Sequence, residues 1–499
     1  MDLLNCLNGL EYRSISGDLK QQITGIAFDS RKVNQGKLFV AIKGFSTDGH
    51  RYIEQAIKQG AAAIVYENDI DAGLLKNNNV SFVRVDDARK ALAGISANFF
   101  DQPTSKLNLV GITGTNGKTS ISYFLKALLE HAGYKTGIMG TIGTLIGDKK
   151  IETPNTTPES LTVQTICDEM VNAAVDYAVM EVSSHALDLN RVAYCQFKSG
   201  IYTNLTPDHL ELHKDMAHYF EAKAKLFNMT SKANIINRDD AYGQLLIERL
   251  KAHSAVSVIT YGLTDEADVY ATDIRYAIDH TLYMANTPSG TFSIRVNIPG
   301  EIYVYNSLAV VAWAYAEGFT PEMISAGIEA LAGVKGRFET VYDRDDKKVV
   351  IDFAHTEDGL DKALSTLRPF VKNRMLLVFG VYAAPGALGE DKRRAMGAVA
   401  ATKSDFCFVT SDNPKEQDPV AIIDEVVASV VMNGGRYEAI VDRKQAIERA
   451  LEVMQPGDIL LISGKGHETA QVIGKVEIPF NETEIVQNKM RELEAQSAI

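Results

Sequence analysis

The chain has 499 residues, of which 45% are apolar and 23% charged, the profile of an ordinary folded protein with about three domains. Its net charge of −13 argues against nucleic acid and anionic membrane surfaces as partners, while a local basic pocket can still hold an anionic substrate. Four scattered cysteines without a C-x-x-C pair argue against structural zinc and a disulfide framework, and with no basic-then-apolar leader and no bilayer-length apolar run a cytoplasmic chain without membrane insertion is expected.

Strand-like runs alternate with helical ones, which predicts an α/β architecture with mostly parallel sheets. Three blocks are expected, 1–104, 105–336 and 337–499. In the first, residues 37–44 (KLFVAIKG) and 61–67 (AAAIVYE) read as strands flanking a helix over 52–59, and a polar, proline-bearing joint at 101–105 closes the block. Ser30 and Arg31 lie in a turn, DSRKV, that suits sugar or pyrophosphate contacts; ordinary turn chemistry explains it as well.

The second block opens with GITGTNGKT at 111–119, the most informative stretch of the chain. Residues 107–110 read as a buried strand and 120–131 as an amphipathic helix. A strand, a glycine-rich turn and a helix N-terminus together form a phosphate cradle. Gly114, Thr115, Asn116 and Gly117 supply the turn, Lys118 a point charge and Thr119 a Mg²⁺ ligand. The common pattern G-x4-G-K-[ST] needs a glycine where Ile112 stands, so this is a variant P-loop; nucleotide binding is expected over a plain glycine turn capping a helix. Asn155, Thr156, Thr157 and Pro158 form a second hydroxyl- and amide-rich turn. Strand 177–183 (YAVMEVS) carries Glu181 near its end. If this strand neighbours the P-loop strand, the carboxylate faces the nucleotide as a second Mg²⁺ ligand; a salt-bridged strand-end acid is the other reading. Residues 204–227 hold three histidines and three lysines, with a helix over 216–227. His209 could reach a second metal or cap a helix, and Lys223 and Lys225 could wall a cleft or form a solvated face. A β-rich stretch over 267–296, a helical segment after Asn306 and a turn at 333–336 complete the block.

The third block has strands at 347–354, 375–380, 406–412 and 458–464, whose carboxyl ends are where an open parallel sheet takes ligands. In GKGHE (464–468), Gly464 allows close approach and Glu468 could accept a hydrogen bond from a substrate ammonium; a tight strand-to-helix turn is the alternative.

GITGTNGKTS, NTTPES, MEVSSHAL, NLTPDHLELHK with EAKAKLF, YNSLA, GVKGRFE, IDFAHT, SDNP and GKGHE follow one another in the order found in Mur ligases. The set most resembles their MurE type, the UDP-N-acetylmuramoyl-L-alanyl-D-glutamate:diamino-acid ligases, over nearly the full chain. The resemblance implies an N-terminal UDP-binding domain, a central ATPase domain and a C-terminal Rossmann-like domain. It implies ATP and Mg²⁺, phosphorylation of a substrate carboxylate, and attack by an amine on the acyl phosphate. On the matching positions, Lys118 would hold phosphates, Thr119 and Glu181 one Mg²⁺, and His209 the second, helped by Lys223 as a carbamate. Asn306 and Arg337 would hold the nucleotide, with Asp352 and His355 closing over the phosphates. Ser30 would contact uridine, and Asn155, Thr156, Thr157, Ser183 and Arg191 the muramoyl-dipeptide. Arg393, Asp412, Asn413, Pro414, Lys415, Gly464 and Glu468 would form the amino-acid pocket.

Some positions depart from the family's pattern. The Gly-Gly-Asp-Arg-Asp stretch of diaminopimelate-adding members is replaced within VYAAPGALGEDKRRAMG, and Lys415 stands where DNPR has arginine. Tyr303 and Phe353 stand where the family has Asn and Tyr. A ligase joining a UDP-linked muramoyl dipeptide to meso-diaminopimelate first, because Arg393, DNP and GKGHE remain, and to L-lysine next is expected, and a monomer. A paralogue with another carboxylate and amine, or a non-catalytic nucleotide-binding homologue, are the alternatives.

Overall fold

The structure, a computed structural model, describes residues 1–44, 47–153, 155–208, 213–383 and 386–497. Two compact units are built from it. One comprises Met1–Gly114, Leu128–Asn204 and Asp215–Thr260; the other comprises Thr115–Ala127, Leu205–Lys214 and Tyr261–Ile499. The architecture is α/β with mostly parallel sheets, as the alternation of runs predicts.

In the first unit, β1 (Ser14–Ser16), β2 (Gly25–Ala27), β3 (Lys37–Val40), β4 (Ala63–Tyr66) and β5 (Ser81–Arg84) form a sheet in the order β1-β5-β4-β3-β2, parallel except for β1. β4 (AIVY) is buried along its whole length, as a parallel strand covered on both faces requires. One face packs Leu38, Val40, Val65 and Val83; the other packs Phe39, Ile64 and Phe82. The strands expected over 37–44 and 61–67 are shorter than their apolar runs, because pairing stops where the chain turns to the next element.

The same unit holds β6 (Asn108–Thr113), β7 (Thr136–Gly140), β8 (Gly143–Ile146), β9 (Lys149–Ile151), β10 (Tyr177–Glu181), β11 (Phe197–Tyr202) and β12 (Thr230–Asn237). Their order is β12-β11-β6-β10-β7-β8-β9, and β6 lies in parallel between β11 and β10. Glu181 is in register with Ile112, so the condition placed on the Glu181 strand is met: it neighbours the P-loop strand. The antiparallel run β7 to β9 was not foreseen from the sequence. The helix expected over 216–227 is α-helical only over Met216–Ala224 and tightens into a 3-10 turn, Lys225–Asn228.

In the second unit, the end of β13 (Ser257–Gly262) pairs with β14 (Val269–Tyr276), which continues antiparallel into β15 (Thr281–Thr287) and β16 (Gly290–Val296). This is the β-rich stretch of the sequence. The helix expected after Asn306 begins earlier, at Glu301, because Gly300 (φ 113°) turns the chain there; it runs Glu301–Glu317 with Asn306 buried inside. Next come β17 (Glu339–Arg344), β18 (Lys347–Asp352), β19 (Met375–Phe379), β20 (Phe406–Val409), β21 (Tyr437–Ala439) and β22 (Ile459–Ser463). Their order is β17-β18-β22-β19-β20-β21, parallel except for β17. A hairpin of β23 (Ala470–Ile473) and β24 (Val476–Pro479) follows. Among the described residues, no helix is long and apolar enough to cross a membrane.

Candidate active site

The glycine-rich turn leaves the carboxyl end of β6 and runs into the helix Lys118–His131. Gly114 (φ 147°) and Gly117 (φ 92°) hold backbone conformations that side chains disfavour. A Cβ on Gly114 would lie 1.8 Å from Thr203 Oγ1, so the turn has no room for one. Lys223, 2% exposed, donates from Nζ to the Gly114 carbonyl at 2.8 Å and lies 4.5 Å over the Tyr219 ring. Lys225, by contrast, pairs with Asp188 at the surface; the solvated-face reading holds for it and fails for Lys223.

Glu181 is 1% exposed at the end of β10. Thr141 donates to it twice, from its backbone N to Oε1 (3.1 Å) and from its hydroxyl to Oε2 (2.9 Å). The hydroxyl-rich turn joins the same cluster. Thr157 donates to the Glu181 carbonyl (2.8 Å) and accepts from the Ser183 backbone (3.0 Å), and the Thr141 and Thr156 hydroxyls are 3.1 Å apart. Arg191 donates to the Thr157 carbonyl at 3.0 Å. Asn155 is exposed and Ser30 is buried in the 3-10 turn Ser30–Lys32. The first block reaches this region: Arg89 bonds Glu159 (2.7 Å), and Asn190 bonds Asp87 (2.9 Å). His209 lies outside the described residues.

In the second unit, Lys118 Nζ folds back onto the Thr115 carbonyl (2.8 Å) and Asn116 donates to Asp358 (3.1 Å). Arg337 donates to the Thr119 hydroxyl at 3.4 Å and stacks 4.3 Å over the Phe353 ring. Phe353 thus supplies a face for the guanidinium at a position where the family has Tyr. Asp352 ends β18 and accepts from the backbone of Phe338 (2.7 Å) and Ala354 (2.8 Å); burial raises its carboxyl above the usual range, against the pull of Arg337. Tyr303 is buried and bonds Ser120.

His355 is pushed down to about 4 by burial, then by Lys392, with Asp208 pulling the other way. Its Nδ1 is 2.9 Å from the Phe353 carbonyl, which can only accept, so the ring is neutral with the proton on Nδ1. The folded value lies below that of an unfolded histidine. As pH falls from about 6.5 toward 4, the unfolded chain takes a proton that the folded chain refuses, so stability is lost across that window. The difference in unfolding midpoint between wild type and His355→Gln should therefore shrink over this range; a pH-independent difference would place the imidazole in water.

Two loops at the carboxyl ends of β20 and β22 meet. Asn413 donates to Glu468 Oε2 at 3.1 Å, and Asp412 is buried beneath them. A Cβ on Gly464 would lie 2.8 Å from Asp412 Oδ2, so a glycine is needed there. Lys415 is exposed with φ 50°, and its backbone is bonded to Val472 and Gly474. Arg393 pairs with Glu425. Part of the altered family stretch, residues 384–385, lies outside the described residues.

Residues 22–100 match the Mur ligase family catalytic domain, 112–314 the Mur ligase middle domain and 336–466 the Mur ligase glutamate ligase domain. The chain is 43% identical over 494 residues to the UDP-N-acetylmuramoyl-L-alanyl-D-glutamate–2,6-diaminopimelate ligase of Caldanaerobacter subterraneus subsp. tengcongensis, covering 99% of this chain and 100% of that one. It is 42% identical over 485 residues to the protein of the same name from Alkaliphilus oremlandii, covering 97% and 98%. A solved structure of a ligase of that name aligns with a TM-score of 0.70 at 29% identity, over 99% of each chain. The chain belongs to the Mur ligase family.

Mur ligases form amide bonds using ATP and Mg²⁺, and this Mur ligase is an enzyme of that kind. Its glycine turn, closed to any Cβ at Gly114, fits a nucleotide's phosphates. Hydroxyl and carboxylate oxygens such as those of Thr119 and Glu181 fit a hard cation. Sequence reasoning missed Lys465, Arg443 and Glu482, which are buried around Asp412 and Glu468. Arg443 donates to Glu482 at 2.8 Å and to the Ser463 carbonyl at 2.9 Å. Their pairing across 39 positions leaves no local pattern to read.

Proposed function

We propose that this Mur ligase joins a diamino acid, meso-diaminopimelate before L-lysine, to the free carboxylate of UDP-N-acetylmuramoyl-L-alanyl-D-glutamate in peptidoglycan precursor synthesis. The observation that carries this reading is the likeness, along nearly the whole chain, to ligases named for that substrate pair. We assign residues 1–104 to the UDP end, 105–336 to ATP and 337–499 to the amino acid.

ATP, held with Mg²⁺, supplies the phosphoryl group that turns the substrate carboxylate into an acyl phosphate. The chain's own task is to position and to shield. Lys118 and the turn from Gly114 to Gly117 hold the phosphates, with Asn306 and Arg337 on the nucleotide. Thr119, Glu181, His209 and a carbamylated Lys223 take magnesium. Asp352, bonded to two backbone N–H groups, braces Arg337, and His355 closes the phosphate end against water. Ser30 reads the uridine, while Asn155, Thr156, Thr157, Ser183 and Arg191 hold the muramoyl-dipeptide. Arg393, Asp412, Asn413, Pro414, Lys415, Gly464 and Glu468 hold the incoming amino acid.

The test is phosphate release from ATP with the UDP-linked dipeptide and meso-diaminopimelate, L-lysine, L-ornithine or no amino acid. Release with meso-diaminopimelate supports the reading, and silence across the panel with ATP still bound overturns it. Lys415→Arg restores the planar fork suited to a distal carboxylate. It should raise kcat/KM for meso-diaminopimelate over L-lysine by about tenfold. An unchanged ratio would place selection elsewhere.

A further inference from the structure

Lys465 follows Gly464 (φ 121°) and precedes Gly466 (φ 55°), and these two glycines turn its side chain inward until it is 0% exposed. Its Nζ donates to Asn413 Oδ1 at 3.0 Å and to Glu468 Oε2 at 2.7 Å. Asn413 closes the triangle by donating from Nδ2 to the same Glu468 oxygen. The amide orientation follows from its neighbours. Asn413 Oδ1 also accepts from the Val472 backbone at 2.9 Å, and a flipped amide would set an NH₂ group against two donors. Both bonds to Glu468 fall on Oε2, which leaves Oε1, on a partly exposed side chain, without a hydrogen bond among the described residues.

We propose that Lys465 is a positioning residue for the incoming amino acid: one buried ammonium ties the loop of Asn413 to the loop of Glu468 and turns Glu468 Oε1 toward the substrate's ammonium. This rests on the reading under Proposed function. Lys465 does not itself touch substrate. Its loss leaves Glu468 held by the Asn413 amide alone, and Asn413 held on its oxygen by the Val472 contact alone.

The test is steady-state kinetics of the full chain with all three substrates varied. Lys465→Met should raise KM for the diamino acid about tenfold or more, as expected for a lost charged hydrogen bond. KM for ATP and for the UDP-linked substrate should stay within about twofold, and Lys465→Arg should recover part of the loss. Acting through Glu468 also predicts non-additivity: Lys465→Met with Glu468→Gln should be no worse for the diamino acid than the worse single variant. The double variant removes both charges, so it decides the matter where Lys465→Met alone strands a carboxylate and fails to fold. An unchanged diamino-acid KM in the double variant, multiplying effects, or a parallel rise in all three KM values with a lower Tm each overturns the proposal. A wild-type chain silent on the whole amino-acid panel overturns the functional reading instead.

Discussion

Lys118→Ala is expected to lower kcat by about 10²–10³-fold, the usual cost of removing one preorganised charge from a site where negative charge moves. The argument is geometric. Lys118 is the first residue of the helix Lys118–His131, so its side chain starts where the N–H groups of the helix end converge. Its Nζ rests on the Thr115 carbonyl, two residues before Gly117, which keeps the ammonium over the turn. Alanine keeps helix propensity and removes the ammonium together with its bond to the Thr115 carbonyl. The unfolding midpoint should therefore stay close to wild type, and binding of the UDP-linked substrate should survive. Single-turnover phosphate release separates the outcomes: a near-normal rate would remove the phosphate-cradle reading, and loss of folding would make Lys118 a structural residue.

The parts of the site legible in the sequence are those in which one short segment carries the whole physical requirement. The P-loop is such a case, because glycines at 114 and 117, a lysine and a helix start are all local. Glu181 was only half legible: a carboxylate at the end of an apolar strand is visible, but its meaning depended on β10 pairing with β6, which is a long-range fact. Lys223 and Lys225 look alike in EAKAKLF, and only burial separates the one bonded to Gly114 from the one at the surface. In GKGHE the glycines and the acid are legible locally, while the buried lysine between them takes its meaning from Asn413, 52 positions away. The start of the helix Glu301–Glu317 was misplaced for a local reason. Asn306 is the residue that stands out in the sequence, and the positive φ at Gly300 that sets the boundary is a backbone property with no side chain to announce it.

Lys223→Ala is expected to be comparably damaging, about 10²–10³-fold in kcat, with part of the activity returned by formate or acetate. A carbamate forms when the neutral amine attacks CO₂, with loss of a proton; a cation becomes an anion with two hard oxygens, the donor type Mg²⁺ takes. The side chain is placed for such a role, since it is buried and ends on the carbonyl of Gly114 at the mouth of the glycine turn. As an unmodified ammonium it would set a positive charge on the Gly114 carbonyl, where a metal would be repelled. Truncation to alanine leaves a cavity between Tyr219 and the turn that a small carboxylate can enter, restoring the oxygens without the tether. Rescue that saturates with carboxylate and is absent with chloride supports the carbamate. A correctly folded Lys223→Ala chain that no carboxylate revives would make Lys223 a brace for the glycine turn, its ammonium serving the Gly114 carbonyl and nothing else.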